Sequence, residues 1–205
     1  MSNKKLCIPF SGSEVKDYVF DLTALSELLP EYGFRPLTEA TPEQIPEGSV
    51  VLIYNKLNNS MLPIIVVNNF SIRGFYFVRF NEILSADPET GHMNRIYDFE
   101  GMLFKVVLKL PISRQGITEA LLEAAIHEGG FKPLKSATSN DLHTGQLILL
   151  CKSNKWIHPV IVRVLQNDRL LFVEQDPVSN SKALRSQFIE GKYGEFEKYS
   201  YFSFS

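Results

Sequence analysis

Cysteine is scarce in this 205-residue chain, which holds only Cys7 and Cys151. Two thiols so far apart make neither a disulfide scaffold nor a metal knuckle, and they fit a reducing compartment. Long apolar runs are missing too. The longest, Met61 to Val67, spans seven residues, far short of the roughly 20 that a membrane-crossing helix needs. Near the amino terminus, Ser11, Gly12, Ser13 and Glu14 interrupt the chain before any apolar stretch of signal-peptide length develops. These absences predict a soluble, cytoplasmic protein with no membrane partner. There is also no excess of one charge sign: 21 Lys plus Arg face 23 Asp plus Glu, a net of -2, so no global basic field advertises nucleic acid. A phosphate-binding glycine loop, a dinucleotide fingerprint, a Gly-x-Ser-x-Gly elbow and a His-x-x-x-His pair are all lacking. His127 and His143 accordingly read as surface residues, and no cofactor, metal or enzymatic activity is expected.

Apolar material is plentiful, at 44% hydrophobic and 12% aromatic, enough for one large domain or two small ones. Laying the chain over itself decides between them. Gly33-Phe34-Arg35-Pro36-Leu37-Thr38-Glu39-Ala40-Thr41 matches Gly130-Phe131-Lys132-Pro133-Leu134-Lys135-Ser136-Ala137-Thr138 at an offset of 97, with six of nine positions identical. The same offset pairs Gly48 with Gly145 and Phe99-Glu100 with Phe196-Glu197, while Pro63 meets Pro159 at 96 and Phe77-Val78 meets Phe172-Val173 at 95. Two copies at so long a period predict a tandem pair rather than a superhelical array. The join falls near Pro111 to Ser113, giving an acidic first repeat (1-112) and a basic second repeat (113-205).

Each copy reads alike. A helix opens it, Leu22 to Tyr32 or Ile117 to Glu128, and a glycine stops it. Apolar runs then predict strands, in the second copy Gln146 to Lys152, Val160 to Gln166 and Arg169 to Glu174, with hairpin chemistry in Gln166-Asn167-Asp168-Arg169. Lys182 to Ile189 is expected as a short helix, and Leu103 to Leu110 or Tyr199 to Phe204 as the closing strand. The expected fold class is α+β, each copy a small antiparallel sheet of about four strands with one or two helices on one side.

In the second copy, His158-Pro159-Val160-Ile161-Val162-Arg163-Val164-Leu165, a turn, and Leu170-Leu171-Phe172-Val173-Glu174-Gln175-Asp176-Pro177 follow the helix and the Gly-Phe-Lys-Pro-Leu segment. This arrangement resembles the second half of the papain-like cysteine peptidase domain found on bacteriocin exporters. The resemblance implies His158 as general base and Asp176 as the group that orients it. That family carries its nucleophile at the start of an early helix in a Cys-Gly context, where the thiol pKa is lowered. Cys7 and Cys151 instead lie in extended segments, and the first copy has Leu62 and Asn81 at the His158 and Asp176 positions. The implied relative is therefore degenerate and non-catalytic, gripping peptides without cutting them.

Charge separates the copies. Residues 1-100 hold 8 Lys plus Arg against 13 Asp plus Glu, and residues 101-205 hold 13 against 10, balances of -5 and +3. The second-copy cations Lys132, Lys135, Lys152, Lys155, Arg163 and Arg169 accompany the only tryptophan, Trp156. Cations beside an indole suit single-stranded nucleic acid, whose phosphates take the charge while a base stacks on the ring. Arg163, alone among Val160, Ile161, Val162, Val164 and Leu165, is expected on the solvent face. The expected function is a non-catalytic module binding single-stranded nucleic acid, most naturally RNA, through these seven residues. The alternative is a protein-interaction adaptor or assembly component. Its sticky surfaces would be the aromatic strand ends Phe75-Tyr76-Phe77 and Tyr199 to Phe204, and docking of acidic on basic copies would admit a homo-oligomer.

Overall fold

The computed structural model describes residues 4-11, 19-67, 74-79, 94-110, 119-153, 156-174 and 186-205. The fold is mixed α/β and mostly strands, with two six-stranded antiparallel sheets. A minor ribbon comes first, β1 (Phe10–Ser11) on β2 (Val19–Phe20). The first sheet comprises β3 (Arg35–Pro36), β4 (Ser49–Asn55), β5 (Ser60–Val66), β6 (Phe75–Arg79), β7 (Asn94–Ile96) and β8 (Met102–Lys109), in the order β3-β8-β4-β5-β6-β7. The second comprises β9 (Lys132–Pro133), β10 (Leu147–Lys152), β11 (Trp156–Val164), β12 (Arg169–Glu174), β13 (Ser186–Lys192) and β14 (Tyr199–Ser203). Read from its β9 edge, its order is β9-β14-β10-β11-β12-β13, the same pattern.

The registers coincide as well. Arg35 pairs with Phe104, and 97 positions on Lys132 pairs with Tyr201. Leu52 opposite Pro63 becomes Leu149 opposite Pro159, and Phe75 opposite Ile96 becomes Leu170 opposite Gly191. The loop adjustments inferred from the sequence offsets thus fall between strands and leave the pairing intact.

Local chemistry sets the entry to each sheet. Residues 22-32 form 3-10 turns around a single α-turn, α1 (Leu25–Leu28), and Pro30 interrupts regular α-helix there. The counterpart α2 (Glu119–Glu128) is a regular helix. Both end in a left-handed glycine, Gly33 (φ 82) and Gly130 (φ 84), where a Cβ would be strained. The following N–H returns to the helix, Phe34 to Leu29 O at 3.2 Å and Phe131 to Ile126 O at 3.3 Å.

Two expectations need correction. Each sheet has six strands, not about four, because the two-residue β3 and β9 and the outer β7 and β13 join it. The helix expected over Lys182 to Ile189 is instead strand β13 from Ser186 onward, its sequence pattern overridden by pairing with β12, and 182-185 lie outside the described residues.

The inner face of each sheet packs into one shared core. It holds Leu25, Leu29, Phe34, Val50, Leu52 and Ile65 from the first half, and their positional counterparts Leu122, Ile126, Phe131, Leu147, Leu149 and Ile161 from the second. Strands β5 and β11 meet across it. The outer faces are covered separately, Val51 and Ile53 by Leu37 and Ile45, Ile148 and Leu150 by Leu134 and Leu142. Burial on both faces explains why β4 and β10 read as unbroken apolar runs.

Residues 6-8 belong by sequence to the first half and by hydrogen bonding to the second sheet. In the first sheet β8 continues, past a register shift between Val50 and Val51, until Leu110 N–H reaches Gly48 O at 2.8 Å. In the second, β14 stops and residues 6-8 take over: Leu147 N–H donates to Leu6 O at 2.9 Å, Cys7 bridges Gln146, and Ile8 N–H donates to Gly145 O at 2.8 Å. Leu6 and Ile8 are fully buried.

Ile8→Ala should therefore cost about 2–4 kcal/mol in urea unfolding and speed amide exchange at Leu147, across the chain. Lys4→Ala, which breaks only the exposed pair with Glu31, should stay within about 0.5 kcal/mol of the parent. Alkali gives a second test. Tyr54 is buried in the shared core and donates to Asn59 Oδ1 at 2.7 Å; desolvation pushes its phenol up to about 12. A folded pKa raised above the unfolded value of about 10 means its contribution is full below pH 10 and lost as pH climbs towards about 12. Tyr54→Phe should flatten the fall in stability over that window.

Candidate nucleic-acid interface

The structure divides the seven expected residues. Lys132 lies exposed on edge strand β9, and Lys135 exposed in the 3-10 turn after it. Lys152 ends β10 with its ammonium 5.8 Å from the centroid of the Tyr199 ring, a cation–π distance. Trp156 opens β11 with its backbone opposite Lys152; its side chain and the whole of Lys155 lie outside the described residues. Pro133 pairs with Ser200 one position from Tyr199, which itself pairs with Lys152. Lys132, Lys135, Lys152 and the Trp156 backbone therefore share one corner of the second sheet.

Arg163 and Arg169 lie elsewhere. Seven residues of β11 separate Arg163 from Trp156, about 23 Å of extended chain. Arg163 is half-buried on the side that carries Ile157 and Ile161 into the shared core, not on an open solvent face; the expectation of alternation fails because this sheet has no uncovered face at its centre. Arg169 is ion-paired with Glu190 at 2.7 Å, which offsets its charge.

Two residues join the corner that the sequence reading did not select. Lys198 and Tyr199 line, with Lys135, Ser153, His127 and Glu123, a groove of about 490 Å³. No carboxylate lies within ion-pair distance of Lys132, Lys135, Lys152 or Lys198 among the described residues. Lys198 escapes a sequence reading because only the β14 pairing brings it to the hairpin of β10 and β11, through Ser153 N–H donating to its carbonyl at 2.7 Å.

A second cleft of about 340 Å³ opens where the halves meet, lined by Lys5, Lys105, Lys132, Asp141, Tyr201 and Phe202 among others. Asp141 Oδ2 accepts from Thr138 N at 2.8 Å and Thr138 Oγ1 at 2.7 Å, and these bonds hold its carboxyl below the ordinary value. Lys105 donates to Tyr32 O at the end of the first helical segment, and burial pulls its ammonium below the ordinary lysine value.

The peptidase-like pair does not assemble with a thiol. His158 sits opposite Leu150 on the outer face with Val160 and Val162, whereas Cys151 points into the shared core opposite Ile157. Cys7 bridges Gln146, four residues along β10 from Leu150 and on the strand beyond it, well over 10 Å from His158. Asp176 and Asn81 lie outside the described residues. Among the described residues no group of three or more His, Cys, Asp or Glu could hold a metal, and no helix is long and apolar enough to cross a membrane.

Neither thiol is activated in this geometry. Desolvation pushes Cys7 above its ordinary value, with Lys5 opposing, and Cys151 is buried. With a disulfide reagent at neutral pH, the native protein should release one thiol slowly, the rate rising with pH as thiolate forms. The second should appear only on unfolding, and Cys7→Ser should abolish the first phase. Comparison with known proteins finds nothing similar: no family model matches the chain, and no curated protein or solved structure does either.

Proposed function

We propose that this chain is a non-catalytic binding module that holds single-stranded nucleic acid, RNA foremost, across the corner formed by β9, β14 and the hairpin of β10 and β11. One observation carries the reading: Lys135, Lys152 and Lys198, three lysines with no carboxylate within ion-pair distance among the described residues, stand beside Tyr199 at one corner of the second sheet. Phosphates would pair with Lys135, Lys152 and Lys198, and a base would stack near Tyr199 or Trp156.

We further infer that the repeated strand order and register come from a tandem duplication, with repeats 1-112 and 113-205. The first repeat then serves as an internal control. At the positions of Lys135, Lys152, Lys198 and Tyr199 it carries Thr38, Asn55, Gly101 and Met102. The same strands pair in the same register without those cations, so the fold does not require them. A cytoplasmic setting fits two cysteines that form no disulfide.

Fluorescence anisotropy with labelled single-stranded RNA tests the reading. Binding should saturate and weaken with salt, with a log–log slope of about −2 for three neutralised phosphates. Lys135→Glu/Lys152→Glu/Lys198→Glu, all at exposed positions, should abolish it with thermal unfolding unchanged. Flat curves for the parent, or equal affinity in the triple variant, would remove the nucleic-acid reading in favour of a protein partner.

A further inference from the structure

We propose that the cleft where the two halves meet is an anion site that takes a phosphate monoester, carried on a mononucleotide or on the end of a strand. Among the described residues it shares no lining residue with the groove around Tyr199, so it does not rest on the nucleic-acid reading.

Lys105 is the starting point. It interrupts the apolar strand β8 between Phe104, which is buried, and Val106. Its counterpart in the second half is Phe202, whose ring packs 5.6 Å from Phe131 and 5.3 Å from Phe204. The fold therefore accepts an aromatic side chain at this position, and an ammonium there needs another explanation. Capping the helical segment explains one of its three protons, the one donated to Tyr32 O. Two remain, and no carboxylate lies within ion-pair distance among the described residues. Desolvation acts on this group with nothing of opposite charge to offset it.

Two more lysines converge on the cleft from other segments. Lys5 Nζ is anchored by Asn140 O at 2.7 Å and Asp141 O at 2.5 Å and lies 3.3 Å from His143 Nε2, so it brings charge to the cleft, and Lys132 stands on edge strand β9. Asp141 is the only carboxylate side chain among the described lining residues, and its Oδ2 already accepts two bonds from Thr138. Lys105 and Lys132 bring donors from two directions and Lys5 adds a third positive charge, a set that matches a phosphate, whose oxygens accept several charge-assisted bonds, better than a planar carboxylate. At about 340 Å³ the cleft exceeds what a bare phosphate fills and falls at the small end of organic-ligand sites. Phe202 and Phe204 offer an apolar wall to whatever the phosphate carries.

Calorimetric titration with inorganic phosphate, AMP and adenosine tests this. Phosphate and AMP should bind saturably and adenosine should not. Lys105→Met should weaken AMP by about tenfold or more, as expected for loss of a charge-assisted contact, and Lys132→Gln should weaken it less because that residue is exposed. Lys105→Met should still fold, since the other half holds an aromatic at this position and the removed charge is desolvated, which offsets the lost bond to Tyr32 O. Tighter binding of a 5′-phosphorylated RNA than of its 5′-hydroxyl twin would support the site and assign it to strand ends; equal binding of the two, with AMP bound, would support it and assign it to free nucleotides. AMP affinity should survive the Lys135/Lys152/Lys198 charge reversal. Absence of saturable phosphate and AMP binding, or affinity unchanged by Lys105→Met, would overturn the proposal even if the 5′-hydroxyl strand binds.

Discussion

The inner faces of the two sheets cannot meet water, and most of the architecture follows from that constraint. Val50 and Leu52 on one side and Leu147 and Leu149 on the other are buried against the same core, together with the helical segments that precede each sheet. A large aliphatic side chain gains about 1.5–3 kcal/mol on burial, so exposing either inner face would forfeit several such contributions at once. Close approach is built in as well. A Cβ on Gly129 would lie 2.9 Å from Leu108 Cβ, so glycine lets the end of α2 rest on β8 of the other half. Separated halves would expose this surface, and a joint, cooperative unit is the physical consequence.

Residues 6-8 come under the same constraint. Without Leu6 and Ile8 the last part of the second sheet would leave β10 unpaired where β8 completes the first. Gly145 O and Leu147 N–H would then lose their partners beside a dry core. A buried backbone group without a partner costs about 1–3 kcal/mol, which is reason enough for residues 6-8 to pair with the second sheet. The aromatic contact between Phe34 and Phe204, at 5.8 Å, closes the same seam with side chains.

The sequence displayed what local chemistry decides. The Gly33 and Gly130 caps, the apolar runs of β4 and β10 and the repeat itself were readable because each depends on neighbours within a few residues. Strand β13 was not, since Ser-Gln-Phe-Ile satisfies a helical pattern and only pairing with β12 makes it extended. Two-residue strands such as β9 carry no periodicity at all. Arg163 misled for a different reason: period-two alternation identifies a solvent face only where one face is solvated, and here both are covered. The basic corner was half legible, because Lys135 and Lys152 flank readable elements while Lys198 arrives through a pairing that no local pattern encodes. Lys105 carries a signal in the sequence itself, a cation inside an apolar strand set against an aromatic at the repeated position.

That last comparison generalises. Where both halves carry the same residue, as at Gly33 and Gly130 or Phe34 and Phe131, one backbone geometry is being satisfied twice and the residue reports on the fold. Where they differ in charge while the register stays the same, the fold has been shown to tolerate either choice, so packing cannot be the reason for the charge. Lys105 is the sharper of these cases, because its ammonium is desolvated and its counterpart Phe202 packs against aromatic neighbours. The exposed lysines around Tyr199 cost the fold little and could stand on any surface; the half-buried one imposes a penalty that a bound anion would relieve. Stability and binding therefore pull in opposite directions at Lys105, and that opposition separates a ligand-facing lysine from a decorative one.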